Sequence, residues 1–233
     1  MTQHRLELQS AYVLHQRPYR NTSLLLDLFT QAHGLIGAVA NNARGFNSRF
    51  RGQLQLFSPL LVSWSGKTEL VSLTNLELFG IPMMLSGKAL LCGFYLNELL
   101  IRLLPRYDAF PKVYLLYEQT LRQLLITDNL EMPLRLFEKC LLDRLGYGLS
   151  LRADAQSDEP IEPDALYRYL PDQGFVRTTE NDCTALICHG RTLIALDKNE
   201  LRHPLVLKQA KNLLRAALKQ RLGAKPLASR LLF

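Results

Sequence analysis

The chain has 233 residues, 48% of them hydrophobic and 21% charged, with a formal net charge of +7. That balance excludes a disordered chain, and it supplies enough apolar material for a core without disulfide or metal staples. The length fits one large domain or two small ones.

The first eighty residues read as strands. "AYVLHQRPY" is β-rich and is expected to stop at Pro18, and "SLLLDLFTQAHG" ends in a glycine turn. "LIGAVA" follows, then "LFSPLLVSW", a turn at Ser65–Lys67, and "ELVSLTNLELFG". Gly34 and Gly37 suit a tight turn and a bent strand. Five short strands favour a small closed barrel, because closure removes exposed edges.

After Pro82 the period changes. In "MLSGKALLCGFYLNELLIRLL", Leu85, Ala89, Cys92, Tyr95, Leu96, Leu99 and Leu103 fall at helical spacing, and Pro105 ends the run. "KVYLLYEQTLRQLLI" and "MPLRLFEKCLLDRL" are two further amphipathic helices, the second with Pro133 near its start and Gly146 beyond its end. Residues 153–164, "ADAQSDEPIEPD", read as an exposed acidic loop with nothing to form a core. A hairpin turning at Asp172–Gly174, a short helix in "RTLIALDKNEL", and a last helix from Pro204 to Leu222, ended by Gly223, complete the chain. The expected class is α+β: a five-stranded barrel over 1–80, then a mainly helical domain over 81–233 with a loop-rich insertion near 150–190.

Charge is concentrated at the two ends. Residues 1–80 carry seven cations against four acids, and from Leu205 onward there are seven cations and no acid, so the middle is net negative. A polyanion partner is the natural reading, and a solubility bias is the bland one. "ARGFNSRFRGQLQLF", from Ala43 to Phe57, holds Arg44, Arg49 and Arg51 with Phe46 and Phe50 between them. Cations that follow a backbone and aromatic faces that stack bases are what sequence-neutral binding of single strands needs. Lys67, in the next turn, adds a cation. On the last helix Lys208, Lys211, Arg215 and Lys219 share one face, opposite Val206, Ala210, Leu213, Leu214, Ala217 and Leu218. Phenylalanines that brace a loop, and lysines on a solvated face, are the structural alternatives.

Catalytic patterns are missing. The five histidines are scattered, Gly-x-Ser-x-Gly does not occur, and no glycine-rich phosphate loop is present, so no enzyme is expected. Cys183, Cys188 and His189 are wrongly spaced for a zinc knuckle and lack a second cysteine pair. Cys92 and Cys140 lie in apolar helical patterns, as buried thiols do. The opening "MTQHRLELQS" lacks an apolar signal region, and Lys88, Glu98 and Arg102 interrupt the longest apolar stretch, so a reduced cytoplasmic protein is expected.

Several blocks resemble one family. "AYVLHQRPYRNTSLLLDLFT", "GLIGAVANNARG", "LQLFSPLLVSW", "YLNELL", "LRLFEKCLLDRLGYG" and "LGAKPLASRLLF" look like the bacterial recombination mediator family RecO, in the family's order and over nearly the whole chain. The resemblance implies an N-terminal OB-fold, a helical domain, and a nucleoid-associated role in recombinational DNA repair. It implies binding of single- and double-stranded DNA, strand annealing, and docking of the acidic C-terminal tail of the single-stranded-DNA-binding protein. It also implies work with RecR to load RecA. The family's basic loop falls on Arg44, Arg49 and Arg51, with Asn41 and Asn42 where relatives are more basic. The tail-docking region falls on "LRLFE", with Arg135 as the rim cation. Many members carry a four-cysteine zinc module after "GYG"; here the first pair is absent, so a zinc-free version is expected. The rival readings are a barrel that binds only proteins and a cryptic nuclease, whose acid cluster the sequence lacks.

Overall fold

The computed structural model describes residues 5–179 and 186–229. Five strands, β1 (Arg5–Tyr19), β2 (Ser23–Thr30), β3 (Gly34–Ala40), β4 (Leu60–Ser65) and β5 (Leu70–Leu78), close into a barrel in the order β1-β2-β3-β5-β4. All pairings are antiparallel except β3 with β5, which is parallel and closes the barrel at Gly37↔Leu70. This is the five-stranded Greek-key arrangement of an OB-type barrel. The period-2 pattern sorts the side chains. Ala11, Val13, Leu26, Leu28, Ile36, Ala38, Leu60, Val62, Trp64, Val71 and Leu73 fill the interior. Tyr12 and Phe29, on the alternate faces, are equally buried but stand outside that cluster.

β1 does not stop at Pro18. It pairs with β4 only from Arg5 to Ala11, so at Pro18 one side carries no ladder and a residue without an N–H is tolerated. The β2–β3 turn requires Gly34. Its φ is +65°, and a Cβ there would lie 1.8 Å from the Asp108 carbonyl oxygen. Thr30 fixes this turn: its hydroxyl donates to the Gly34 carbonyl at 2.9 Å and accepts from the His33 N–H.

Two helices, α1 (Gly87–Leu103) and α2 (Pro111–Ile126), pack with the barrel in one compact unit that runs to Thr127 and regains the chain from Leu227. The sequence division at residue 80 follows the change from strand to helix; the packing unit extends beyond it. Tyr12 and Phe29 meet Tyr114 and Tyr117 of α2 with ring centroids 5.2–6.3 Å apart. Asn97 of α1 is 3% exposed and joins the pieces. Its Nδ2 donates to the Leu14 carbonyl at 2.8 Å, and its Oδ1 accepts from the Tyr117 hydroxyl at 2.6 Å. At the chain's return, the Glu98 carboxylate accepts from the N–H groups of Ala228 and Ser229 and from the Ser229 hydroxyl.

The second unit covers Asp128–Pro226. It contains α3 (Glu131–Arg144), a three-stranded antiparallel sheet β7 (Gly174–Thr178), β6 (Leu166–Leu170) and β8 (Ile187–His189), then α4 (Gly190–Lys198) and α5 (Pro204–Leu222). Leu134, Phe137, Leu141 and Leu142 of α3, and Ala210, Leu213, Leu214, Ala217 and Leu218 of α5, are buried. The acidic segment 153–164 is not wholly exposed. Asp154 and Ile161 are buried, and the Asp154 carboxylate accepts N–H groups of Gln156, Ser157 and Arg177. Among the described residues no helix is long and apolar enough to cross a membrane.

Candidate nucleic-acid interface

The connection from β3 to β4 is ordered by its own turns. Backbone bonds run from Gly45 to Asn42, Ser48 to Gly45, Arg51 to Ser48 and Gln53 to Phe50, each N–H to the carbonyl three residues back. Ala43, Phe50 and Leu54 descend from it into the barrel core. Phe46 and Phe50, similar in sequence, therefore part company. Phe50 is 3% exposed and braces the loop, so it presents no open face to a base; its expected contact role is corrected on that ground. Phe46 is 86% exposed. The Arg51 guanidinium lies 5.5 Å from the Phe46 ring centroid and donates to the Phe46 carbonyl at 3.3 Å. Arg49 covers the outer side of Phe50, at 4.8 Å from its centroid.

Arg44 does something else. Its Nε donates to the Ser23 carbonyl at 3.1 Å, and its Nη2 donates to the carbonyls of Arg20 and Asn21, each at 2.8 Å. Its own N–H donates to the Thr22 carbonyl at 2.7 Å. These bonds fasten the loop to the β1–β2 hairpin and leave only Nη1 of the guanidinium for a phosphate. That hairpin is not among the residues singled out from sequence. Its signal was a Tyr19–Arg20 pair at a turn, in a stretch without acids between Glu7 and Asp27. Lys67 is exposed in the β4–β5 turn.

On α5, Lys208, Arg215 and Lys219 are exposed and carry no ion pair with a described residue. Their spacing places them on one stripe. Lys211 differs, because its Nζ is bonded to Glu131 of α3. The helix starts at Pro204 behind His203, whose Nδ1 accepts the Leu205 N–H at 3.2 Å, and Gly223 closes it at φ +71°.

Comparison with known proteins places the chain in a family over nearly its whole length. The Recombination protein O N-terminal family matches residues 1–81, and the Recombination protein O C-terminal family matches residues 84–231. The chain belongs to the RecO family. A DNA repair protein RecO from Coxiella burnetii is 48% identical over 229 residues, 97% of each chain. One from Methylococcus capsulatus is 46% identical over 98% of this chain and 93% of its own, and one from Azoarcus is 40% identical over 97% and 94%.

Within a RecO framework, the expectation for Arg135 needs correction. Its side chain is 4% exposed, with Nη2 bonded to Glu138 at 2.7 Å and Nη1 3.5 Å from Glu131. Lys211, Glu131, Arg135 and Glu138 thus form one chain of alternating charge joining α5 to α3. Arg135 lies at its buried end and is not a rim cation. The i−4 and i+3 acids flanking Arg135 were the sequence signal for this internal pairing.

The metal question falls partly outside the described residues, since Cys183 lies there. Among the described residues no three His, Cys, Asp or Glu side chains converge on a metal-binding position. Cys188 is buried on β8, and desolvation pushes its thiol up to about 12, so it stands as a protonated thiol.

Proposed function

We propose that this RecO-family chain is a non-catalytic mediator of recombinational DNA repair. It binds single- and double-stranded DNA, promotes annealing of complementary strands and, with RecR, helps load RecA onto strands coated by the single-stranded-DNA-binding protein. The observation that carries the reading is Phe46, 86% exposed with Arg51 against its ring on an ordered loop of an OB-type barrel. A soluble barrel ordinarily buries such a ring. A rigid aromatic face with a cation on it suits an unstacked base and its phosphate. The names of the relatives support the repair setting.

Annealing needs no hydrolysis. Cations that neutralise phosphates on two strands lower their mutual repulsion and raise their local concentration. Phe46, Arg49, Arg51 and Lys67 on the barrel, and Lys208, Arg215 and Lys219 on α5, are the residues assigned this work. For the acidic tail of the single-stranded-DNA-binding protein, the exposed α5 cations replace Arg135 as the source of positive charge in the second unit.

The test is an annealing assay with complementary oligonucleotides, run beside binding titrations at rising salt. Acceleration of annealing, with affinity that falls steeply as salt rises, is the expected result. Changing Lys208, Arg215 and Lys219 to Ala is expected to reduce both tail binding and annealing with little effect on stability. Annealing no faster than the uncatalysed rate, with affinity flat in salt, contradicts the proposal.

A further inference from the structure

The β1–β2 hairpin has the same chemistry as the loop beside it. The turn Arg20–Thr22 connects strands paired to their ends at Tyr19↔Ser23. Arg20 sits at φ +50°, a left-handed position uncommon for a residue with a side chain. Its guanidinium lies 5.1 Å from the centroid of the Tyr19 ring, and the Arg20 side chain is exposed. Tyr19, itself half-buried, and Arg20 thus repeat the ring-and-guanidinium pairing of the exposed Phe46 and Arg51. The two pairs are not independent in space. Arg44 binds three carbonyls of the hairpin with its guanidinium and a fourth with its backbone N–H, so four hydrogen bonds tie the 41–51 loop to the hairpin.

We infer that Tyr19 and Arg20 form a second stacking platform of a two-platform single-strand site, and that Arg44 is a positioning residue that sets the two platforms in register. The inference rests on the proposed binding at the 41–51 loop and extends it by naming the substrate form. Two aromatic platforms held rigidly favour unpaired bases, because a duplex keeps its base faces stacked inside. By sequence Arg44 stands with Arg49 and Arg51 as a phosphate contact, yet three of its five N–H donors are committed to backbone carbonyls. A lysine cannot reproduce that fork of donors, although it keeps the charge.

The experiment measures binding of fluorescent oligothymidine and of a duplex with equal phosphate number by anisotropy, using the full-length chain. Tyr19→Leu is expected to weaken single-strand binding at least about fivefold, the lower end of one lost stack, and to leave duplex binding within twofold. Tyr19→Phe is expected to restore it. Arg20→Gly, which relieves the left-handed backbone, is expected to weaken both ligands and to reduce the salt slope on single strands by about 0.7. Arg44→Lys separates position from charge. Loss of single-strand affinity comparable to Arg44→Ala, with the salt slope kept, supports positioning; full activity of Arg44→Lys overturns it. Single-strand binding that survives Tyr19→Leu and Arg20→Gly, while Phe46→Ala and Arg51→Ala abolish it, overturns the second platform and leaves the first standing. If none of these variants changes binding, the proposed interface itself fails.

Discussion

Asn97 donates its side-chain amide to the Leu14 carbonyl at 2.8 Å, where β1 is irregular. The register of β1 with β2 shifts between Val13 and His15, so Leu14 lies at a bulge. A helix side chain thus completes a hydrogen bond where the ladder skips a residue. The Tyr117 hydroxyl closes the same network from α2. Burial pushes that hydroxyl up in pKa, with the nearby Tyr12 and Tyr114 hydroxyls adding to it, so it keeps its proton and donates at neutral pH.

Asn97→Ala is therefore expected to cost about 2–3 kcal/mol, because it strands a buried hydroxyl and a buried carbonyl at once. Tyr117→Phe is expected to cost about 1–2 kcal/mol, and the double variant less than the sum of the two. Urea unfolding of the four proteins measures all three terms. Strict additivity would show that the two side chains are not one network.

Arg135→Ala is expected to destabilise the second unit by about 3–5 kcal/mol, since it leaves the buried Glu138 without its arginine. Thermal unfolding followed by circular dichroism reads this directly. If Arg135→Ala keeps the wild-type midpoint and loses only protein-tail binding, the buried ion-pair assignment is wrong and a surface role returns.

The barrel was legible in sequence because alternation and glycine turns are local signals: "SLLLDLFTQAHG" carries both its strand and its stop. The helices were legible from their spacing and their proline and glycine punctuation. The site was harder. Phe46 and Phe50 lie in a non-periodic loop, where no phase tells an inward ring from an outward one. Arg44 looked like a phosphate contact because its partners are carbonyls twenty and more residues away, which no side-chain pattern reveals. Arg135 reads as a surface cation because charged side chains ordinarily face water, although Glu131 and Glu138 stand at pairing distance along the helix. Asp154 was lost in an acidic run, and its sign was Ser157 three residues later.

Asp154 gives stability a pH dependence. Burial alone would raise its carboxyl, but the N–H groups of Arg177, Ser157 and Gln156 outweigh that and hold it below the ordinary value. A carboxyl lowered on folding contributes stability that is present above its unfolded pKa of about 4 and is lost as pH falls through its folded value. Asp154→Asn keeps the shape without the titration. The gap between wild type and Asp154→Asn, measured by urea midpoints from pH 7 to pH 3, is expected to narrow as the solution becomes more acid. A gap constant with pH contradicts this role.

The most direct measurement compares the wild type with a Phe46→Ala, Arg49→Ala, Arg51→Ala variant for binding of a single-stranded oligonucleotide across a salt series. If the loop meets phosphates and a base, affinity falls by at least about fivefold from the lost stack alone, and the slope of log K against log salt shrinks by about 1.4 for the two arginines. An unchanged slope and affinity in a variant with the wild-type unfolding midpoint would contradict nucleic-acid binding at this barrel loop.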